Sequence, residues 1–327
     1  MTVSVVIANW NGRELLRACL AALGRQTRAP DEVIVVDNGS TDGSLDLIRQ
    51  QFPAVRLVAL PENRGFAVGN NVGIQAARGQ YIALLNNDAE PEPAWLQELG
   101  RAMDAYPAAG LCASKILTQE EPPRIDSAGD AFWRVGVGVK RGEGEIDAGQ
   151  YDEPGWVFGA SAAAAVYRRT LFEAIGGFDE RFSPAYHEDT DLNFRAQLRG
   201  YRCRYVPSAI VRHRVSATLG RGSARLQYLR ARNAVFVVAK NLPAGLWKRH
   251  GIDVVTYHGL LSGIHLVRGK PAYLAGCLAA LAMLPALRGP RQAVQRMRTV
   301  SDDGEALLSP ITVTGALAAH WSRYANR

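Results

Sequence analysis

The chain has 327 residues, of which 47% are hydrophobic, and a length and composition of this kind exclude a disordered polypeptide while leaving room for one large domain or two modest ones. The formal net charge of +7 argues against a predominantly acidic protein and favours anionic partners such as nucleotide phosphates, acidic lipids or nucleic acid, beside the plainer reading of a solvated basic surface. Cys19, Cys112, Cys203 and Cys277 are scattered without a CxxC pair or zinc-ligand spacing, so inert thiols in a reducing compartment are expected.

The opening run MTVSVVIANWNG passes directly into a strand at 3–8, which argues against a signal peptide. ELLRACLAALGRQT then carries Leu15, Leu16, Cys19, Leu20 and Leu23 at helical spacing, with Gly24 suited to its end. A second strand at 32–36 closes on Asp37, and Thr41-Asp42-Gly43 opens the helix SLDLIRQQF. A third strand is expected at 55–60, a loop at Asn63-Arg64-Gly65, a Gly-bearing helix in FAVGNNVGIQAARG and a buried fourth strand at 81–85. Strands alternating with helices predict a mostly parallel, doubly wound sheet. Pro91 and Pro93 precede a helix at 94–106, and 111–116 reads as a further strand.

From 118 to 155 the pattern breaks into a Gly-punctuated excursion, read as loops and short strands able to carry acceptor contacts. Order returns in FGASAAAAVYRRTLFEAIGGFDERF, whose small-residue run is expected to pack tightly against the sheet. HEDTDLNFRAQLRGYR reads as an acid-headed helix, and YVPSAIVRHR as a strand ending on His213. Beyond 223, basic helical segments alternate with apolar ones; the most apolar, 271–287, is borderline in length for a membrane span.

Three acidic turns carry the chemistry. Asp37 follows an aliphatic run and can accept hydrogen bonds from a nucleobase or a ribose, or simply shape an Asx turn. Asp88 lies just past the fourth strand, where a carboxylate can ligate Mg²⁺ or Mn²⁺ between two phosphates or act as a loop acid. Glu188, Asp189 and Asp191 crowd one helix start, where the helix dipole favours them and where a fixed carboxylate can take a proton from a hydroxyl. His213 is a competent Mn²⁺ ligand or diphosphate partner, or else a surface residue at a strand end. His187 is either a substrate contact or a neighbour that shifts the acids' pKa values.

In order along residues 3–243, VSVVIANWNG, VIVVDNGSTDGS, NRGFAVGNNVGI, YIALLNNDAEP, GGFDERF, HEDTDLNFRAQLRGYR and VPSAIVRH together resemble the family 2 glycosyltransferases. With RGEGEIDAGQYD, they look most similar to the rhamnosyltransferase-like branch that builds bacterial surface polysaccharides. The resemblance implies an α/β chain with the GT-A (nucleotide-diphospho-sugar transferase) fold over 1–222, divided into a nucleotide-sugar half at 1–117 and an acceptor half at 118–222. A helical extension at 223–327 follows. Asp37 would bind the base or ribose, and Ala8, Asn9, Asn63, Arg64, Gly65, Asn71 and Asn87 would line the nucleotide-sugar pocket. Asp88 and His213 would hold the divalent cation. Asp189 would be the catalytic base, with Glu188 positioning the acceptor and His187 and Asp191 contacting it. Asn86-Asn87-Asp88 is a reduced form of the family's DxD motif, and FSPAYHED has Ala and His where large aromatics are common.

The expected activity is inverting transfer of a sugar, rhamnose among the options, from a nucleotide-diphosphate donor to a glycan or lipid-linked acceptor. The rival reading is a catalytically silent nucleotide-sugar-binding module; a nucleic-acid partner has no motif to support it. A cytoplasmic protein is expected, and the basic, apolar extension raises contact with an anionic surface at the inner face of the cell membrane as an alternative to core packing.

Overall fold

In the computed structural model, which describes residues 2–214, 223–301 and 307–325, the expected alternation is realised at the start of the chain. Strand β1 (Val3–Asn9) leads to helix α1 (Arg13–Leu23), β2 (Glu32–Asn38), α2 (Ser44–Gln51), β3 (Arg56–Leu60), α3 (Phe66–Ala76) and β4 (Tyr81–Leu85). Helix α1 buries Leu16, Cys19, Leu20 and Leu23, the stripe that its spacing dictates. Helix α3 comes so close to the sheet that a side chain on Gly73 would collide with Val6.

After β5 (Ala89–Pro91) and α4 (Trp95–Ala105) comes the long strand β6 (Ala109–Thr118). The excursion that follows contains β7 (Ile125–Ala128), β8 (Asp130–Trp133), β9 (Val137–Lys140) and β10 (Gly155–Val157). Then come β11 (Ala164–Arg168), α5 (Arg169–Ile175), α6 (Glu188–Leu198) and β12 (Arg202–His213). The C-terminal helices are α7 (Ala224–Asn241), α8 (Ala244–Val267), α9 (Ala272–Ala282), α10 (Arg288–Met297) and α11 (Val313–Ala325). The expected boundary after 222 falls at residues 215–222, which lie outside the described residues.

The main sheet runs β10-β12-β6-β11-β4-β1-β2-β3. Strands β4, β1, β2 and β3 are mutually parallel, so their carboxyl ends form one rim. Beyond β4 the sheet is mixed, because β11 enters antiparallel to both β4 and β6. The small-residue run therefore does not pack on the sheet; its end becomes a central strand of it. Ala164, Ala165, Val166 and Tyr167 are buried on both faces, which removes the alternation that marks a half-exposed strand. One core face gathers α1 and α4 (Leu16, Leu20, Trp95, Leu99), the other α3, α5 and α6 (Ile74, Phe172, Leu192). A third apolar cluster joins Phe194 and Leu198 of α6 to Phe236, Val237 and Leu246 of the C-terminal helices.

Candidate active site

The rim of β1 and β2 is tied together by side-chain amides. Asn9 Nδ2 donates to Asp37 Oδ2 at 3.0 Å, and Asn87 Nδ2 donates to Asn9 Oδ1 at 2.8 Å. The Ser40 N–H donates to Asp37 Oδ1 at 2.9 Å. Both oxygens of the wholly buried Asp37 are thus engaged within the chain, and here it shapes its turn. Asn38, which sequence reasoning missed, holds the next loop: its Oδ1 accepts from Arg64 N and its Nδ2 donates to Gly65 O, each at 3.0 Å. Asn63 Oδ1 accepts from Gly65 N at 2.9 Å, leaving the Asn63 and Arg64 side chains exposed at the rim. Gly65 has φ +88, and its Cα faces Pro184, so the loop abuts the segment that precedes α6. Ala8 packs against Gly69 of α3.

Asn71 departs from expectation. Its Oδ1 accepts from Phe178 N at 2.7 Å and its Nδ2 donates to Phe178 O at 2.9 Å. Those bonds fasten α3 to the GGFDERF segment, a role that the sequence reading did not give it.

Across the sheet, antiparallel pairing of β12 with β5 sets His213 opposite Ala89. His213 Nε2 consequently lies 3.0 Å from Asp88 Oδ1, while its Nδ1 lies 3.1 Å from Asp126 Oδ2. Asn86 Nδ2 is 3.4 Å from the same Nε2. Asp126 sits on β7 inside the excursion and also receives Lys140 Nζ at 2.9 and 3.0 Å. Burial works against a charged ring, but hydrogen bonds to Asp126 and Asp88 raise the His213 pKa to about 9. Burial likewise opposes ionisation of Asp126, yet Lys140 and His213 hold its carboxyl far below the usual range.

This donor set suits a divalent cation. Two ligands about 2.1 Å from one ion on adjacent octahedral positions stand about 3.0 Å apart, the spacing of Asp88 Oδ1 and His213 Nε2. A carboxylate on the far ring nitrogen is the usual means of orienting a ligating histidine. No cluster of three or more His, Cys, Asp or Glu able to hold a metal occurs among the described residues, so phosphate oxygens or water would complete the shell.

The acids of the third turn head α6. Asp189 Oδ1 accepts from Thr190 N at 2.7 Å. Burial raises the Asp189 pKa against the opposing pull of the Thr190 N–H and Lys140. Burial and the charge of Asp189 raise Glu188 well above its ordinary value, and Glu188 Oε2 has no hydrogen-bond partner. Asp130, on β8, was not anticipated; burial and Asp189 push it up to about 8. Three carboxyl groups therefore line one cavity with Lys140, and burial raises all three, with the charge of Asp189 adding to it at Asp130 and Glu188.

The loop before α6 is strained and clamped. Tyr186 and His187 have φ +78 and +65, left-handed values that large side chains rarely adopt. The buried Asn233 of α7 holds the loop by donating from Nδ2 to the carbonyls of Phe182, Ala185 and Tyr186 at 3.1, 3.1 and 2.7 Å. Arg232 Nη2 donates to Ser183 O at 2.7 Å. Burial and Arg230 lower His187 to about 3, so its imidazole is neutral. Asp191, expected as an acceptor contact, is absent from the lining of the cavity that holds Asp189 and is engaged within the chain. It is fully buried, bonded by Arg195 Nε at 2.8 Å, Lys240 Nζ at 2.8 Å and Asn241 Nδ2 at 2.8 Å, so it ties α6 to α7.

One cavity of about 400 Å³ gathers Asn86, Asp88, Asp126, Asp130, Lys140, His187, Glu188, Asp189 and His213. The C-terminal helices also line it, through Arg230 of α7, Tyr257 and Leu261 of α8, and Tyr273 of α9. Asp37, Asn63 and Arg64 are not part of that lining and stay at the β1–β2 rim. The cavity combines a metal-type donor pair, a raised-pKa carboxylate, and aromatic and cationic side chains from the C-terminal helices.

The sequence profile of Glycosyl transferase family 2 matches residues 4–176. O-antigen biosynthesis protein RfbC of Myxococcus xanthus is 30% identical over 231 residues, 66% of this chain but 17% of that protein. The N-acetylglucosaminyl-diphospho-decaprenol L-rhamnosyltransferase of Mycobacterium tuberculosis (strain ATCC 25618 / H37Rv) is 27% identical over 270 residues, 75% of this chain and 86% of that enzyme. Among solved structures, GalNAc-T7 with UDP, GalNAc and Mn²⁺ superposes with TM-score 0.60 at 15% identity, over 88% of this chain and 57% of that one. The Pyrobaculum calidifontis mannosyltransferase PcManGT with GDP-Man and Mn²⁺ gives TM-score 0.52 at 20% identity, over 98% and 79%. At those identities the structural likeness shows the fold.

Proposed function

The chain belongs to glycosyl transferase family 2 and has a GT-A fold, and from that premise we propose that it is an inverting, metal-dependent glycosyltransferase of bacterial surface-polysaccharide synthesis. The observation that carries this reading is the convergence of Asp88, His213 and Asp189 on one cavity. The donor is a nucleoside-diphosphate sugar. Ala8, Asn9, Asp37, Asn63, Arg64, Gly65 and Asn87 frame its nucleotide half at the β1–β2 rim. The acceptor hydroxyl enters from the helical wall, past His187 and Tyr257.

Asp88 and His213 are the residues that would hold Mg²⁺ or Mn²⁺. A divalent cation bound there supplies positive charge against the departing diphosphate. Asp126 keeps the His213 ring in register by accepting from Nδ1. Asp189 takes the proton from the acceptor hydroxyl as that oxygen bonds to the anomeric carbon and the bond to the diphosphate breaks. The raised pKa of Asp189 brings the base closer to neutrality, where a general base works best. Asp130, pushed up to about 8 by burial and Asp189, remains largely protonated near pH 7 and can donate to an acceptor oxygen without adding charge, and burial with the charge of Asp189 biases Glu188 the same way. A single base suffices because displacement is direct, so the anomeric configuration inverts. The acceptor is a glycan or lipid-linked sugar, a reading supported by the mycobacterial relative that acts on a diphospho-decaprenol substrate.

The test is a panel of nucleotide-diphospho-sugars, TDP-rhamnose included, read by released nucleoside diphosphate with and without acceptor. Turnover with one donor and a product of inverted configuration by proton NMR is expected. Binding of donors with neither transfer nor slow hydrolysis would instead identify a silent binding module.

A further inference from the structure

Helix α8 has two unlike faces. Its inner face buries Leu246, Val254, Tyr257, His258, Leu261 and His265. Its outer face leaves Ile252 77%, Val255 62%, Leu266 50% and Val267 90% exposed. No charged residue occurs between Asp253 and Arg268, so about four turns of that face are wholly uncharged. Helix α9 packs on α8, with Ser262 Oγ and Cys277 Sγ 3.9 Å apart, and it too exposes aliphatic side chains, Leu278 at 56% and Leu281 at 53%. Neither helix is long and apolar enough to cross a bilayer singly, and α9 meets that requirement only together with Leu284–Met297 across a 57° bend, whereas the uncharged strip of α8 can meet lipid from the side.

Charge selects the occupant. Between 244 and 298 the sequence holds eight Lys and Arg against the single Asp253, which accounts for the whole formal excess of +7. Asp253 is itself near Arg134, at 3.5 Å. Exposed Lys248 and Arg249 stand near the start of α8, and exposed Arg268 and Lys270 at its turn into α9. An uncharged aliphatic strip bracketed by bases is complementary to the headgroups and upper acyl region of an anionic bilayer. A second copy of the chain would bring those bases against one another.

We propose that the outer face of α8 and α9 docks on an anionic lipid surface. The opposite faces of the same helices, through Tyr257, Leu261 and Tyr273, wall the cavity that holds Asp189. Docking therefore sets the helical wall of that cavity against the bilayer, the side from which a lipid-anchored acceptor arrives. That last step rests on the sugar-transfer reading; the docking itself does not.

Co-sedimentation of the full chain with vesicles tests it. Binding to phosphatidylglycerol-containing vesicles is expected, with weak binding to pure phosphatidylcholine and release at high salt. Each of Lys248→Gln and Lys270→Gln should weaken binding about fivefold. Ile252→Glu with Val255→Glu and Val267→Glu should abolish it while melting temperature and nucleotide binding stay as in the wild type. Wild-type protein that ignores anionic vesicles overturns the proposal, as does a concentration-dependent dimer that the triple Glu variant converts to monomer. Loss of nucleotide binding or turnover in an unaltered chain that still binds vesicles would count against the transferase reading and leave docking intact.

Discussion

Proton and metal compete for one atom, His213 Nε2, and the competition can be measured. The ring sits between Asp88 and Asp126, which raise its pKa to about 9 from the ordinary 6.5. A raised folded value means that the metal-free fold gains stability from the proton below pH 6.5 and loses it as pH rises through 9. Metal affinity must run the opposite way, because the ion needs a neutral imidazole. With the ring pKa near 9, about one ring in a hundred is free of its proton at pH 7, a penalty of roughly two orders of magnitude on binding. Raising the pH from 7 to 8.5 should tighten Mn²⁺ binding about 25-fold, with the gain flattening near 9. Free Mn²⁺ measured by electron paramagnetic resonance during titration reads this directly. Asp126→Asn removes one of the two carboxylates, so its pH dependence should move to lower pH and shrink over the same interval. A wild-type affinity that changes less than about threefold from pH 7 to 8.5 would refute the pairing of Asp88 and His213 as one ligand set.

Other expectations follow from the same contacts. Lys240→Met leaves Asp191 buried with half of its positive partners gone, and the loss should be about 3–5 kcal/mol by denaturant unfolding. Asn233→Ala removes the donor to three carbonyls of the Tyr186–His187 loop; acceptor KM should rise more than donor KM, with a stability loss of about 1–3 kcal/mol. Asp191→Asn should impair stability without a selective effect on acceptor KM, which separates its fastening role from an acceptor contact. Gly73→Val should be among the most damaging changes to thermal stability, because its side chain would strike Val6 where α3 meets β1.

Much of the scaffold is legible in the residues themselves. Runs such as 32–36 and 81–85 are aliphatic, end on turn-forming residues and alternate with amphipathic helices, so local patterning and tertiary structure agree. Asp88, Glu188, Asp189 and His213 stand out because each marks the end of a strand or the start of a helix. Asp126, Asp130 and Lys140 do not. They lie in a Gly-rich excursion without periodicity, and the pairing of Asp126 with His213 spans 87 positions of sequence. Spacing alone cannot show a contact of that range. Asp191 looks like a site acid from its neighbours, and only Lys240 and Arg195 reveal that it is a buried tie. Asn71 is similar: its role is set by Phe178, more than a hundred residues away. The antiparallel entry of β11 was hidden because a strand buried on both faces reads as a plain run of small apolar residues.

The most direct measurement of the central claim pairs binding with turnover in Asp189→Asn. Nucleotide-sugar affinity, measured by calorimetry with Mn²⁺ present, should stay within a few-fold of wild type, while transfer to acceptor falls by a factor of about a hundred or more. Transfer at near wild-type rate, or loss of binding and transfer together, would contradict the assignment of that carboxylate as the base.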